Sequence, residues 1–282
     1  MSNSVTAARR RGWPLLGRHE DERCAPTFIV IALLATTGPA FAGAWTMPQN
    51  HGQVIVTTTA SRADDAFDDD GHAHSTPRYQ KLESEALIEY GVTDRLTAIL
   101  GPGFQHIDIA RPTDASRTGA GYTEFGARFR FLEGKDWVLS AQGLMRVPGT
   151  RDINNPAAVG YTGNEFDARL LFGANLTVAG QPAFANIELA QRFRDDAPNE
   201  FRADATLGVQ VAPRWTAVGQ SFTVIAESGS ALFPTYNYSK IQLSAIYALT
   251  KDWSLQLGGF STVLGHNALQ ENGLVAGIGY RF

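Results

Sequence analysis

Ser261, His266 and Asn267 are the nearest this sequence comes to a nucleophile, a base and an orienting amide, the set that acyl transfer requires. They lie in Phe260-Ser261-Thr262-Val263-Leu264-Gly265-His266-Asn267, which reads as one strand, and the differing parity of Ser261 and His266 sends them to opposite faces. No catalytic residue is assigned from them. Asp68-Asp69-Asp70-Gly71-His72-Ala73-His74 gathers oxygen and imidazole ligands in close order. Acidic clusters between strands are more often solvated connections, so neither a metal site nor a cofactor is expected there. The glycines Gly121, Gly126, Gly258 and Gly277 fall inside strand-like segments and form no phosphate-binding loop. What remains is a large set of charged residues spaced by two.

The elements that carry those charges alternate between apolar and polar residues. Leu274, Ala276, Ile278, Tyr280 and Phe282 share one parity, against Gly273, Gly277, Gly279 and Arg281. Phe125, Ala127, Phe129 and Phe131 oppose Glu124, Gly126, Arg128 and Arg130. Phe166, Ala168, Leu170 and Phe172 oppose Glu165, Asp167 and Arg169, and the same period recurs over 201–211 and 240–247. A period of two is a strand signal. It predicts strands over 52–63, 78–90, 96–109, 119–131, 137–147, 164–176, 182–193, 200–211, 215–228, 236–249, 253–265 and 273–282, an even set of about twelve. Pro102, between Gly101 and Gly103, predicts a bulge in the third.

Alternation fits a water-exposed sandwich as well as a membrane barrel, because the two differ only in which face looks outward. Three features favour the barrel. Tight connections (Val92-Thr93-Asp94-Arg95, Glu133-Gly134-Lys135-Asp136, Ala212-Pro213-Arg214, Thr250-Lys251-Asp252) alternate with long polar ones such as Asp64 to Pro77 and Pro148 to Gly163. After the tight turns the next strand opens on Leu96, Trp137, Trp215 or Trp253, so the three tryptophans read as a periplasmic aromatic girdle. The chain ends on a strand whose last residues include Tyr280 and Phe282, a pattern resembling the assembly signal of outer-membrane barrels. The expected fold is therefore all-β, a transmembrane antiparallel up-and-down barrel in the cell outer membrane of a Gram-negative bacterium.

The first residues fit that destination. Arg9, Arg10, Arg11, Arg18 and Arg23 precede the apolar run Phe28-Ile29-Val30-Ile31-Ala32-Leu33-Leu34-Ala35, and Ala40-Phe41-Ala42 follows Gly38-Pro39. This is a basic region, an apolar stretch too short for a helical span, and a small-x-small cleavage site. Residues 1–42 are expected to be a signal peptide cleaved after Ala42, 43–51 a short periplasmic segment able to tuck into the mouth of the barrel, and 52–282 the barrel. The only cysteine, Cys24, leaves with the signal, so thiolate chemistry and disulfides leave with it.

On this facing the interior carries Glu83, Glu85, Glu89, Glu124, Glu165, Asp167, Glu188, Asp204 and Glu227. Beside them stand Lys81, Arg128, Arg130, Arg146, Arg169, Arg192, Arg202 and Lys240. About nine acids facing eight bases should pair across strands, which predicts weak ion selectivity. A formal net charge of −4 with 18% charged residues carries no nucleic-acid footprint. The expected partners are outer-membrane lipid and lipopolysaccharide, the barrel-assembly machinery through the last strand, and an unidentified small solute.

Gly43-Ala44-Trp45-Thr46-Met47-Pro48, Gly52-Gln53-Val54-Ile55-Val56-Thr57 and Tyr79-Gln80-Lys81-Leu82-Glu83 through Glu89-Tyr90-Gly91-Val92-Thr93-Asp94 resemble the family labelled putative MetA-pathway of phenol degradation. Its members are barrel proteins encoded near aromatic-degradation genes. The resemblance implies a channel for small solutes, with hydrophobic or aromatic compounds among them, and carries no binding residue across. Two other readings compete: a non-conducting structural or adhesion barrel that binds through its loops, and an outer-membrane lipid hydrolase. The His-x-Ser-Asn pattern of such hydrolases is missing from this sequence.

Overall fold

A computed structural model describes residues 43–149, 154–158, 163–195, 197–227 and 235–282. The expected signal peptide and its cleavage site lie outside the described residues, as does part of the connection between Pro148 and Gly163.

The strands are β1 (Gly52–Phe67), β2 (Ala73–Thr93), β3 (Leu96–Ile109), β4 (Ala115–Glu133), β5 (Trp137–Pro148), β6 (Glu165–Val178) and β7 (Gln181–Arg194). They continue with β8 (Glu200–Ala212), β9 (Trp215–Ala226), β10 (Asn237–Ala248), β11 (Trp253–His266), the two-residue β12 (Ala268–Leu269) and β13 (Asn272–Arg281). Each long strand pairs antiparallel with its neighbours in sequence, and β1 closes the ring on β13 through ten residue pairs from Gln53↔Arg281 to Arg62↔Asn272. The result is a closed barrel of twelve long strands. β12 adds a two-residue pairing onto the far end of β1.

Closure leaves the twelve long strands without a free edge, so each of them finds partners on both sides. The connections sort by length. Asp94-Arg95 (β2–β3), Gly134–Asp136 (β4–β5), Ala179-Gly180 (β6–β7), Pro213-Arg214 (β8–β9) and 249–252 (β10–β11) lie at the short-turn end, together with the start of β1 and the end of β13. At Ala179-Gly180 both residues have positive φ, 50° and 78°, the conformation a two-residue hairpin turn needs and one that Gly180 adopts without strain.

Bulges interrupt the period of two. In β4 the pairing shifts between Pro102 and Phe104, so that Gly121 and Tyr122 are consecutive and both buried, and the inward parity changes from odd to even. In β11 a shift places Val263 and Leu264 both outward while Thr262 is fully buried. The bulge expected at Pro102 is present, with its extra residue on the partner strand.

The first long connection differs from expectation. The segment expected to be a loop, 64–77, is mostly a continuation of the hairpin, with Ala66↔His74 and Phe67↔Ala73 paired and only 68–72 turning. Residues 73–75 are exposed one after another, so no alternation marks the extension.

Candidate functional site

The interior is built from the buried parity of each strand. At the short-turn end it holds residues 43–51. Ala44 is fully buried against Val138 of β5 and Leu171 of β6, with Trp45 packed beside them. The backbone of this strap is held by side chains of the wall. Ser140 Oγ donates to the Ala44 carbonyl, an Arg128 N–H to the Trp45 carbonyl at 3.0 Å, and the Met47 N–H donates to Thr97 Oγ1 at 2.8 Å. The strap then runs along β2, where Gln49 bridges Gly91 in parallel and the Asn50 N–H donates to the Gly91 carbonyl at 2.9 Å. A Cβ at Gly91 would stand 2.0 Å from the Pro48 carbonyl oxygen, so the strap can lie there only against glycine.

Above the strap, β4 to β8 carry a continuous ion-pair network. Arg146 pairs with Glu124 and Glu165 and stacks its guanidinium 4.4 Å from the Tyr122 ring centroid. Arg194 bonds Glu165 at 2.8 Å and Glu200 at 2.9 Å. Arg169 reaches three strands' worth of carboxylates: Asp167 at 3.2 Å, Glu188 at 2.6 Å and Asp204 at 3.0 Å. Arg192 completes the set on Asp167 at 3.2 Å. Nearer the strap, Arg128 pairs with Glu89 at 2.9 Å, both almost fully buried. These pairs lie within a strand or join strands no more than two apart, so the charges brace one wall instead of crossing the interior.

Over β9 to β11 the wall carries one Asp, Glu, Lys or Arg among the described residues, Lys240, and is otherwise neutral. Gln242 donates to Gln220 at 3.0 Å and to Ser244 at 3.2 Å, and Gln220 donates to Thr206 at 3.3 Å. Gln256 and Thr262 lie buried along the same side. At the long-connection end the two walls enclose a cavity of about 440 Å³, lined among others by Lys81, Arg194, Tyr236, Tyr238, Lys240 and Glu271.

The expected interior charges fall on one parity with a single exception. Glu89, Arg128, Glu165 and Asp167 are buried, and Lys81, Glu83, Glu124, Arg130, Arg146, Arg169, Glu188, Arg192, Arg202, Asp204 and Lys240 are buried or half-buried. Glu85 shares their parity on β2, opposite Gly103, yet its side chain is reached by solvent. Glu227 follows the last residue of β9 and is exposed, with its N–H donating to the Asn199 carbonyl. Parity alone did not find Arg117, which the β4 bulge turns inward, or Glu271, which lies in the turn before β13. Arg194 lies just past the expected end of its strand. Glu200 and Tyr236 begin or precede theirs, so their role required the pairing itself.

Trp137, Trp215 and Trp253 are exposed on the outer face at the short-turn end. Their rings contact Phe172 (centroids 6.3 Å apart), Tyr247 (4.8 Å) and Tyr280 (4.6 Å), and Tyr280 stacks on Phe282 at 6.1 Å. At the other end the Asp68 carboxylate accepts the backbone N–H groups of His72 at 2.8 Å and Asp70 at 2.9 Å, which hold it below its ordinary pKa. That carboxylate closes a turn. Among the described residues no three His, Cys, Asp or Glu side chains converge as a metal site would require. His266 Nδ1 lies 2.9 Å from Asn237 Oδ1, a partner on β10.

No protein-family model matches the chain, and no curated protein matches it in sequence. Among solved structures it is similar to the COG4313 outer membrane channel from Pseudomonas putida F1, with a TM-score of 0.71 and 14% identity over 85% of this chain and 98% of that one. It is also similar to the translocator domain of the autotransporter NalP from Neisseria meningitidis, with a TM-score of 0.52 and 12% identity over 82% of this chain and 89% of that one. The NanC porin gives a TM-score of 0.51 and 9% identity, over 80% and 98% of the two chains. At such identities the likeness is one of fold.

Proposed function

We propose that residues 43–282 form a passive channel for small solutes in the outer membrane of a Gram-negative bacterium, exported by a signal in residues 1–42 that is cleaved after Ala42. The observation that carries this reading is an inverted distribution of polarity. Leu243, Leu257, Leu264 and Leu274 are each 67% exposed on the outer face, whereas Glu89 and Asp167 inside are 1% and 0% exposed. Withdrawing one such leucine from water is worth about 1.5–3 kcal/mol, and a whole belt of them is stable only against acyl chains. Charges inside then face water or one another. The solvent-reached Glu85, on the inner parity at mid-strand, supports a wet passage.

The tryptophans at the short-turn end suit a membrane interface and, with the short connections there, support a periplasmic position for that end and an external one, against lipopolysaccharide, for the long connections. Tyr280 and Phe282 supply the aromatic end that the assembly machinery would read. Small hydrophobic or aromatic compounds are the finer part of the proposal, supported by the resemblance of the 43–57 and 79–94 segments. Purified protein in planar bilayers should give discrete conductance steps; their absence from both the intact protein and one lacking residues 43–50 would overturn the channel.

A second reading, a structural barrel that does not conduct, is favoured by one observation: Ala44, Val138 and Leu171 pack without solvent inside the short-turn end. The strap decides between them. A gate yields conductance when removed, whereas a solid core yields an unstable barrel.

A further inference from the structure

The cavity at the long-connection end holds chemistry that the network below it does not. Its lining brings together two ammonium groups, one guanidinium, one carboxylate and two phenol rings: Lys81, Lys240, Arg194, Glu271, Tyr236 and Tyr238. The carboxylates that neutralise Arg194, Glu165 and Glu200, lie in the wall behind it, and Glu83 holds Lys81 at 2.7 Å in the same way. The surface offered to a solute is thus richer in cations than the wall as a whole. Lys240 is the centre of the arrangement. Its ammonium donates to Glu271 and lies 5.3 Å from the Tyr238 ring centroid and 5.2 Å from that of Phe260. An ammonium has three N–H donors, and one carboxylate does not exhaust them. The volume of about 440 Å³ suits a molecule of one ring.

We propose that this cavity is the outer binding site of the channel for a small solute with a flat apolar body and one carboxylate, the carboxylate on Lys240 and the body against Tyr238. The assignment rests on the channel reading for the solute's route and adds its charge. A neutral ring keeps the apolar contact and loses the charge-assisted hydrogen bond, and an aminomethyl ring meets three cations. Glu271, the one carboxylate in the lining, works against the solute's own.

Calorimetric titration of the detergent-folded protein with benzoate, benzamide and benzylamine tests this. Benzoate should bind saturably, with benzamide and benzylamine about tenfold weaker or worse. Lys240→Met should erase the preference for benzoate, while Glu271→Gln should strengthen benzoate binding, two opposite effects from adjacent groups that loss of folding cannot mimic. Equal binding of benzoate and benzamide, no saturable binding at all, or unchanged benzoate affinity in Lys240→Met overturns the site. Conductance in potassium chloride without benzoate is read separately. Conductance steps with no benzoate binding remove the site and leave the channel; binding without steps removes the channel and with it the solute's route.

Discussion

Arg169 shows how a single residue can matter twice in this barrel. Its guanidinium lies among Asp167, Glu188 and Asp204, so removing it strips Glu188 and Asp204 of the cation they share and leaves Asp167 to Arg192 alone. Breaking a buried pair by deleting one partner costs about 3–5 kcal/mol, because the surviving charge has lost its compensation. Arg169→Met is therefore expected to lower the temperature at which the folded band on unboiled gels gives way to the unfolded one. The same substitution makes the interior more negative, so reversal potentials in a salt gradient should shift toward cation selectivity. A folded variant with unchanged selectivity would show that this wall lies outside the ion path. Gly91→Val acts by volume instead of charge. With no room for a side chain beneath the Pro48 carbonyl, the strap should be displaced and conductance should rise, with the barrel otherwise intact.

At the scale of elements the strap and the last strand make separable claims. The strap meets the wall through side-chain hydrogen bonds to its own backbone and a short parallel bridge to β2, whereas the wall closes without it from Gln53↔Arg281 onward. Deleting residues 43–50 should raise single-channel conductance several-fold on the order of the widening a removed plug gives, while the gel shift on boiling persists. Loss of that shift would make the strap part of the core. β13 carries the opposite expectation. Removing Phe282 takes away one ring from the Trp253–Tyr280–Phe282 row and little of the sheet, since Gly52 and Phe282 exchange only the final pair of backbone hydrogen bonds. Folded protein in the cell's outer membrane should fall sharply, while refolding from urea into detergent should be nearly unchanged. Equal loss in both would assign Phe282 to stability and not to assembly.

For the whole molecule, the net result of the ion-pair network is near-neutrality, so under the proposed function the intact protein is expected to show a reversal potential close to zero in a potassium chloride gradient. Protein extracted from outer membranes should begin at Gly43, which N-terminal sequencing checks. Much of the architecture was legible before any coordinates. The twelve long strands follow the period of two, and β3, expected over 96–109, spans Leu96–Ile109. The tight turns and the outward Trp137, Trp215 and Trp253 were equally plain, because a wall that is lipid on one side and wet on the other imposes its contrast on every second residue. The contrast vanishes where successive residues are all exposed, as over 73–75, which hid the extension of the first hairpin to Phe67 and Ala73. It also fails at a bulge, where one extra residue reverses the parity and brings Arg117 inside. Sequence by itself determined that there are about twelve strands and, away from bulges, which residues of each strand share a face, both of which are local alternation summed around a ring. Only the tertiary structure decided which charges meet, that most of them brace one wall and leave β9 to β11 with Lys240 alone, that residues 43–51 fill the short-turn end, and that Lys81, Arg194 and Lys240 surround one cavity. Those are facts of register and closure, and residues distant in the chain have no common period from which to read them.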